Sequence, residues 1–128
     1  MMKKMLLMVV GVVIVLTLVA CGNKVDEATS EKYIAKAEEV VSLLNEGKYG
    51  DVHAMFDEQM KTSLPEEQMA QLTPIIEQSG DFKEIDKSSI EEEQDYYVVV
   101  LVAKYSQENR VYTISFNKKD EVAGLYIK

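Results

Sequence analysis

The sequence has one cysteine, one histidine and no tryptophan. Each scarcity excludes something. A single thiol cannot close an intrachain disulfide, so packing alone must hold the fold together. A single imidazole leaves no histidine-rich zinc cluster, and no Ser–His–Asp set has a recognisable spacing. There are two prolines and six glycines, with no glycine-rich phosphate loop among them and no internal repeat. Positive charge is also short: 14 basic side chains stand against 22 acidic ones, a formal net charge of −8. Phosphate binding requires a basic footprint, so no nucleic-acid partner is expected.

A long apolar run occurs once, at the start. Met1-Met2-Lys3-Lys4 leads into Met5–Ala20, apolar except for Gly11 and Thr17. A basic start followed by an apolar stretch is the pattern of a secretory signal peptide. The run is shorter than the roughly 20 residues that a membrane-spanning helix requires. It ends in Leu18-Val19-Ala20-Cys21-Gly22, a string that resembles the lipobox of bacterial lipoproteins. The resemblance implies cleavage after Ala20 and a diacylglycerol on the Cys21 sulfur, with acyl chains such as palmitate. It places the chain at the extracytoplasmic face of the cell membrane. Two acyl chains give stable anchoring where one does not. The alternative is that Cys21 is an incidental residue after an ordinary cleaved signal, or near an uncleaved anchor. Loss of residues 1–20 takes Lys3 and Lys4 away and leaves a more acidic mature chain, so the lipid must do the holding. The expected organisation is a signal peptide over 1–20, a polar tether over 21–29 and one domain over 30–128, an ordinary size for a single domain.

Within that domain the apolar period is helical first and alternating later. Ser30 is placed to cap a helix carrying Ile34, Ala37, Val41 and Leu44 on one face, with Gly47 as its stop. Tyr49 to Met60 reads as a second helix, with Val52, Met55, Phe56 and Met60 on one side. Ser63-Leu64-Pro65-Glu66 has the form of a capping box ahead of a third apolar face, Met69, Leu72, Ile75 and Ile76. Pro74 interrupts that face with a kink or break. After Gly80, strands are expected at Phe82–Ile90, Asp95–Ser106, Arg110–Phe116 and Val122–Ile127. If Gln107-Glu108 is a two-residue hairpin loop, Ala103 faces Tyr112, Leu101 faces Ile114 and Val99 faces Phe116. The inward face is then Tyr97, Val99, Leu101, Ala103, Tyr112, Ile114 and Phe116, joined by Ala123, Leu125 and Ile127. Helices followed by a four-stranded antiparallel sheet make an α+β fold.

The stretches Val41–Tyr49, Phe56–Met60, Leu64–Gln68, Gly80–Ile85 and Val122–Ile127 together resemble the DUF3887 family of bacterial domains. The resemblance implies an NTF2-like, cystatin-like layout of helices packed on a curved sheet. It also implies occurrence alone behind lipoprotein signals or ahead of hydrolase domains, and no hydrolase domain follows in this sequence. The shared motifs are structural and carry no catalytic residue, and fold alone does not give function.

The remaining candidates each have two readings. His53, with Asp57 four residues on, has the composition of an oriented base, but the pair reads first as a surface i,i+4 pair on one helix. Glu91-Glu92-Glu93 with Asp95 could gather a hard cation, but without calcium-loop spacing they read as a solvated strand end. Met55, Met60 and Met69 would suit a copper ion, yet methionine is also the ordinary filler of cores. No metal or cofactor is therefore expected. A ligand pocket is expected on the inward sheet face, walled by Val99, Leu101 and Ile114, with the Tyr97 and Tyr112 hydroxyls as polar handles. The resulting expectation is a lipid-anchored, non-catalytic module that binds an apolar small molecule or another envelope protein. The alternative is a small cavity-type enzyme using His53 and Asp57.

Overall fold

The computed structural model describes residues 25–128; Cys21 and the lipobox lie outside the described residues. Among the described residues, five helices precede four strands. They are α1 (Glu27–Asn45), α2 (Tyr49–His53), α3 (Glu58–Ser63), α4 (Glu66–Met69) and α5 (Leu72–Gln78), then β1 (Phe82–Glu93), β2 (Tyr96–Tyr105), β3 (Asn109–Phe116) and β4 (Val122–Ile127). The strands form one antiparallel sheet in the order β1-β2-β3-β4.

α1 begins before Ser30. Asp26 is its N-cap and accepts a hydrogen bond from the Thr29 amide at 3.1 Å, so Ser30 lies inside the first turn and is not the cap. Aspartate caps as well as serine does, and the earlier cap gains just over a turn of helix. The C-terminal end follows the glycine rule. Gly47 has φ +75°, the Gly47 amide donates to the Leu44 carbonyl (3.1 Å) and the Lys48 amide to that of Leu43 (2.9 Å), which is a Schellman motif. Tyr33, Ala37, Val40, Val41 and Leu44 are buried along the sheet-facing side.

The expected second helix is two helices. Between them Phe56 bridges β4: the Val122 amide donates to the Met55 carbonyl (2.7 Å) and the Asp57 amide to the Val122 carbonyl (2.9 Å). A sheet-edge contact from far along the chain overrides local helical period here. Asp57 then caps α3 through a 2.8 Å bond from the Met60 amide. The expected capping box does not form, because Ser63 closes α3 and Pro65 precedes α4 without a side-chain cap. Pro74 sits in the first turn of α5, where its missing amide costs nothing. The interruption falls instead at Ala70 and Gln71, between α4 and α5, where proline's ring would crowd the carbonyl four residues earlier.

In the sheet, Val99, Leu101, Ala103, Tyr112, Ile114 and Phe116 are all fully buried, and the inward face is the expected one. The register is not. Leu101 faces Tyr112, Val99 faces Ile114 and Tyr97 faces Phe116, two residues from the expected pairing. The hairpin loop is Tyr105–Glu108, closed by the Tyr105 amide on the Glu108 carbonyl at 3.2 Å. It docks on the α5–β1 corner: the Ser106 amide donates to the Asp81 carbonyl and the Gln107 amide to that of Ser79, both at 2.8 Å. Gly80, with φ +93°, permits this approach, since a Cβ there would stand 2.1 Å from the Ser106 Oγ. A two-residue shift keeps every side chain on its own face, so the alternation alone could not choose between the two pairings. In β4 a bulge separates the Ser115 and Phe116 pairings. Val122, rather than Ala123, therefore fills the core, with Leu125 and Ile127 packed part-buried beside it.

Candidate functional site

The expected pocket on the inward sheet face is occupied by protein. Val99, Leu101, Tyr112 and Ile114 have no exposed surface and lie in the core that α1 covers. Tyr97 is half-buried and stacks on Tyr33 with ring centroids 4.5 Å apart. The Tyr112 hydroxyl already has a partner. The Tyr105 and Tyr112 hydroxyls are 2.5 Å apart, and Tyr105 donates to Asn45 Oδ1 at 2.6 Å. With the Tyr105 proton so placed, Tyr112 is the donor to Tyr105. Burial, and then the Tyr105 contact, push the Tyr112 hydroxyl far above the ordinary tyrosine range. Burial likewise raises Tyr105. These hydroxyls are satisfied structural groups, fully protonated at neutral pH.

The relay ends at a cleft. Asn45 lies in the last turn of α1, and its Nδ2 is buried with no hydrogen-bond partner. An unpaired buried amide of this kind costs about 1–3 kcal/mol. Asn45, Tyr49, Thr73 and Ile76 line a cavity of about 190 Å³, with Glu46 and Glu77 also on its wall. Tyr49 and Thr73 join their hydroxyls across it. Beside it, sharing Gly47 and Tyr49, is an open groove of about 800 Å³ whose other walls include Asp51, Glu66 and Glu67. Arg110 braces the C-terminal end of α5. Its Nε donates to the buried Ser79 Oγ at 2.5 Å, and its terminal nitrogen pairs with Glu108 at 2.9 Å, tying α5 to the β2–β3 loop. The arrangement can offer a donor, two hydroxyls and an acidic rim to a small polar group.

The other sequence candidates are dispersed. His53 and Asp57 do not share a helix: the Asp57 carboxylate is engaged as the cap of α3, while His53 Nε2 is buried without a partner and its ring lies 5.5 Å from that of Phe56. The β-bridge at Phe56 is what separates them. Of the acidic run, Glu92 pairs with Lys118 at 2.7 Å, and Lys118 Nζ stands 4.3 Å over the Tyr97 ring. Among the described residues no three His, Cys, Asp or Glu side chains gather as a metal site would require. Met69 is fully buried, and Met55 and Met60 pack part-buried against the core. A second polar join lies at the far end of α1. Tyr33 donates to Asp120 and Lys32 pairs with the same carboxylate at 2.9 Å, so Asp120 is held below the ordinary carboxylate range, chiefly by the Tyr33 bond. Neither Asn45 nor Asp120 stood out in the sequence. Their partners are 60 and 87 residues away, and no local pattern marks such pairs.

Comparison with known proteins places the chain by family. Residues 37–125 match the family described as "Protein of unknown function (DUF3887)", and the chain belongs to that family. It is similar in structure to a protein from Ruminococcus gnavus ATCC 29149 solved by NMR, with a TM-score of 0.66 and 23% identity over 82% of this chain and 96% of the other. That likeness shows the helix-then-sheet fold. No curated protein matches. No helix among the described residues is long and apolar enough to cross a membrane.

Proposed function

We propose that this protein is a lipoprotein held at the extracytoplasmic face of the cell membrane by a diacylglycerol on Cys21, and that its domain is a non-catalytic binding module. Anchoring is read from Leu18-Val19-Ala20-Cys21 behind a basic, then apolar, N-terminus. The binding reading is carried by one observation: Asn45 Nδ2 is buried and unpartnered in a residue that lines a cleft. Buried polar groups are nearly always satisfied, and an orphan at a cavity is the natural place for a ligand acceptor. The ligand is a small molecule bearing a carbonyl or carboxamide, lodged between α1 and α5 and extending into the acidic groove. The apolar ligand expected from sequence has no room in the packed core. For the enzyme alternative, the base would be His53 without its carboxylate, since Asp57 is engaged elsewhere.

Two experiments test the parts separately. Cys21→Ser should abolish incorporation of labelled palmitate and leave uncleaved precursor; continued cleavage after Ala20 with retention in the membrane fraction would refute the anchor. For the cleft, a panel of small amides and carboxamides is screened by thermal shift against the native chain and Asn45→Leu. Stabilisation of the native chain that is lost in the variant supports the site. Equal shifts in both, or none with any amide, remove it.

A further inference from the structure

We infer that the ligand of the cleft between α1 and α5 is a short basic peptide. One of its backbone carbonyls accepts from Asn45 Nδ2, and a lysine or arginine side chain of the same peptide lies in the adjoining acidic groove. The inference rests on the cleft reading above, to which it adds the length and charge of the ligand, and it is independent of the lipid. Two spaces share the wall made by Gly47 and Tyr49. The inner one, of about 190 Å³, is lined by Asn45, whose buried Nδ2 has no partner. That donor requires an acceptor, and an amide carbonyl supplies one. The outer groove, of about 800 Å³, is far larger than a single carboxamide needs. A ligand that engages both spaces is therefore a chain with amides along it and side chains to place in the groove.

Charge selects the chain. The two spaces are walled by Glu46, Lys48, Asp51, Glu66, Glu67 and Glu77. Lys48 is already taken, since it pairs with Glu46 at 3.2 Å. Asp51, Glu66, Glu67 and Glu77 have no ion-pair partner among the described residues. Four carboxylates along one concave wall make a field that gathers cations and repels acidic chains. Gly50 keeps room for one of them. No positive φ requires glycine there, but a Cβ at that position would stand 3.0 Å from Glu66 Oε2, so the Glu66 carboxylate rests against the bare side of α2. A metal ion does not fit this set, because among the described residues no three His, Cys, Asp or Glu side chains gather to hold one. Carboxylates spread along a groove suit a cation on a long flexible stem, which lysine and arginine carry.

The test uses the full chain purified in nonionic detergent and three probes. They are acetylated and amidated alanyl-lysyl-alanine, the same tripeptide with norleucine in place of lysine, and n-butylamine. The first has amides and a cation, the second amides alone, the third a cation alone. In calorimetric titration at low salt the lysine peptide should bind about fivefold or more tighter than the norleucine peptide, and salt at about 1 M should close that gap. Glu66→Gln combined with Glu67→Gln should also close it while leaving the affinity for the norleucine peptide unchanged, which a loss of fold could not do. Glu93→Gln, an exposed carboxylate at the end of β1, should leave the gap as it is. Asn45→Leu should lose both peptides. If the norleucine peptide binds and the lysine peptide binds no tighter, the inference falls and the cleft reading stands. If neither peptide binds, the inference falls and the amide screen decides the cleft by itself. It is equally overturned if the advantage of lysine survives the paired glutamine substitutions, if Glu93→Gln removes it, or if n-butylamine binds as tightly as the lysine peptide.

Discussion

Seven tyrosines serve this small domain, and two of them make a measurable point about single groups. Tyr105 stands in the middle of the relay, accepting from Tyr112 and donating to Asn45. Tyr105→Phe therefore leaves both a donor and an acceptor unmatched, whereas Tyr112→Phe leaves only an acceptor. In urea unfolding, Tyr112→Phe should cost about 1 kcal/mol and Tyr105→Phe about 2–3 kcal/mol; the opposite order would mean that Tyr105 does not stand in the middle of the relay. The same groups set the alkaline limit of stability. Burial raises the Tyr105 and Tyr112 hydroxyls in the folded chain. Stability from such groups is complete below the unfolded tyrosine pKa of about 10 and is lost as pH rises toward the folded value. Unfolding free energy should thus fall above about pH 10, and Tyr112→Phe should flatten that slope by up to about 1.4 kcal/mol per pH unit. Asp120 acts at the acid end with the opposite sign. Its depressed pKa gives stability that is present above the ordinary carboxylate pKa of about 4 and is lost as pH falls through the folded value.

At the scale of elements, the alternation in β2 and β3 was enough to name the core. Leu101→Ala should cost about 2–5 kcal/mol, as for a fully buried leucine, while Val100→Ala on the opposite face should cost under about 1 kcal/mol in the monomer. Comparable losses from both would mean the outer face is as buried as the inner one. Turns separate in the same way. Gly47 and Gly80 both have positive φ, but a Cβ at Gly47 meets nothing within 4 Å while one at Gly80 meets Ser106 and the Gln107 backbone. Gly47→Ala should cost about 1 kcal/mol from backbone conformation alone. Gly80→Ala should cost more than that and should disturb the β2–β3 loop, visible as amide shifts at Ser106 and Gln107. These two stops were legible as glycines closing apolar runs. What the second glycine docks against was not, because its neighbours lie 26 and 27 residues along the chain.

For the whole molecule, local pattern and long-range contact decided different things. The sequence by itself determined the helix-then-sheet order, the β4 segment from Val122 to Ile127, and which residues of β2 and β3 face inward. Each follows from a period of a few residues that has only one buried solution. The expected tyrosine handle was also correctly placed on the inward side, but a face is not a cavity: whether Tyr112 lines space or fills it depends on α1, whose Asn45 closes the relay. Tertiary structure alone decided the sheet register, because a slip of two residues is invisible to an alternation of period two and is fixed only by the loop's bonds to Ser79 and Asp81. It decided the break at Phe56, where helix propensity worth tenths of a kcal/mol per residue yields to two backbone hydrogen bonds with Val122. It also parted His53 from Asp57 and brought Asn45, Tyr49 and Thr73 to one cleft, since neither distance exists until α1, α5 and the sheet have packed.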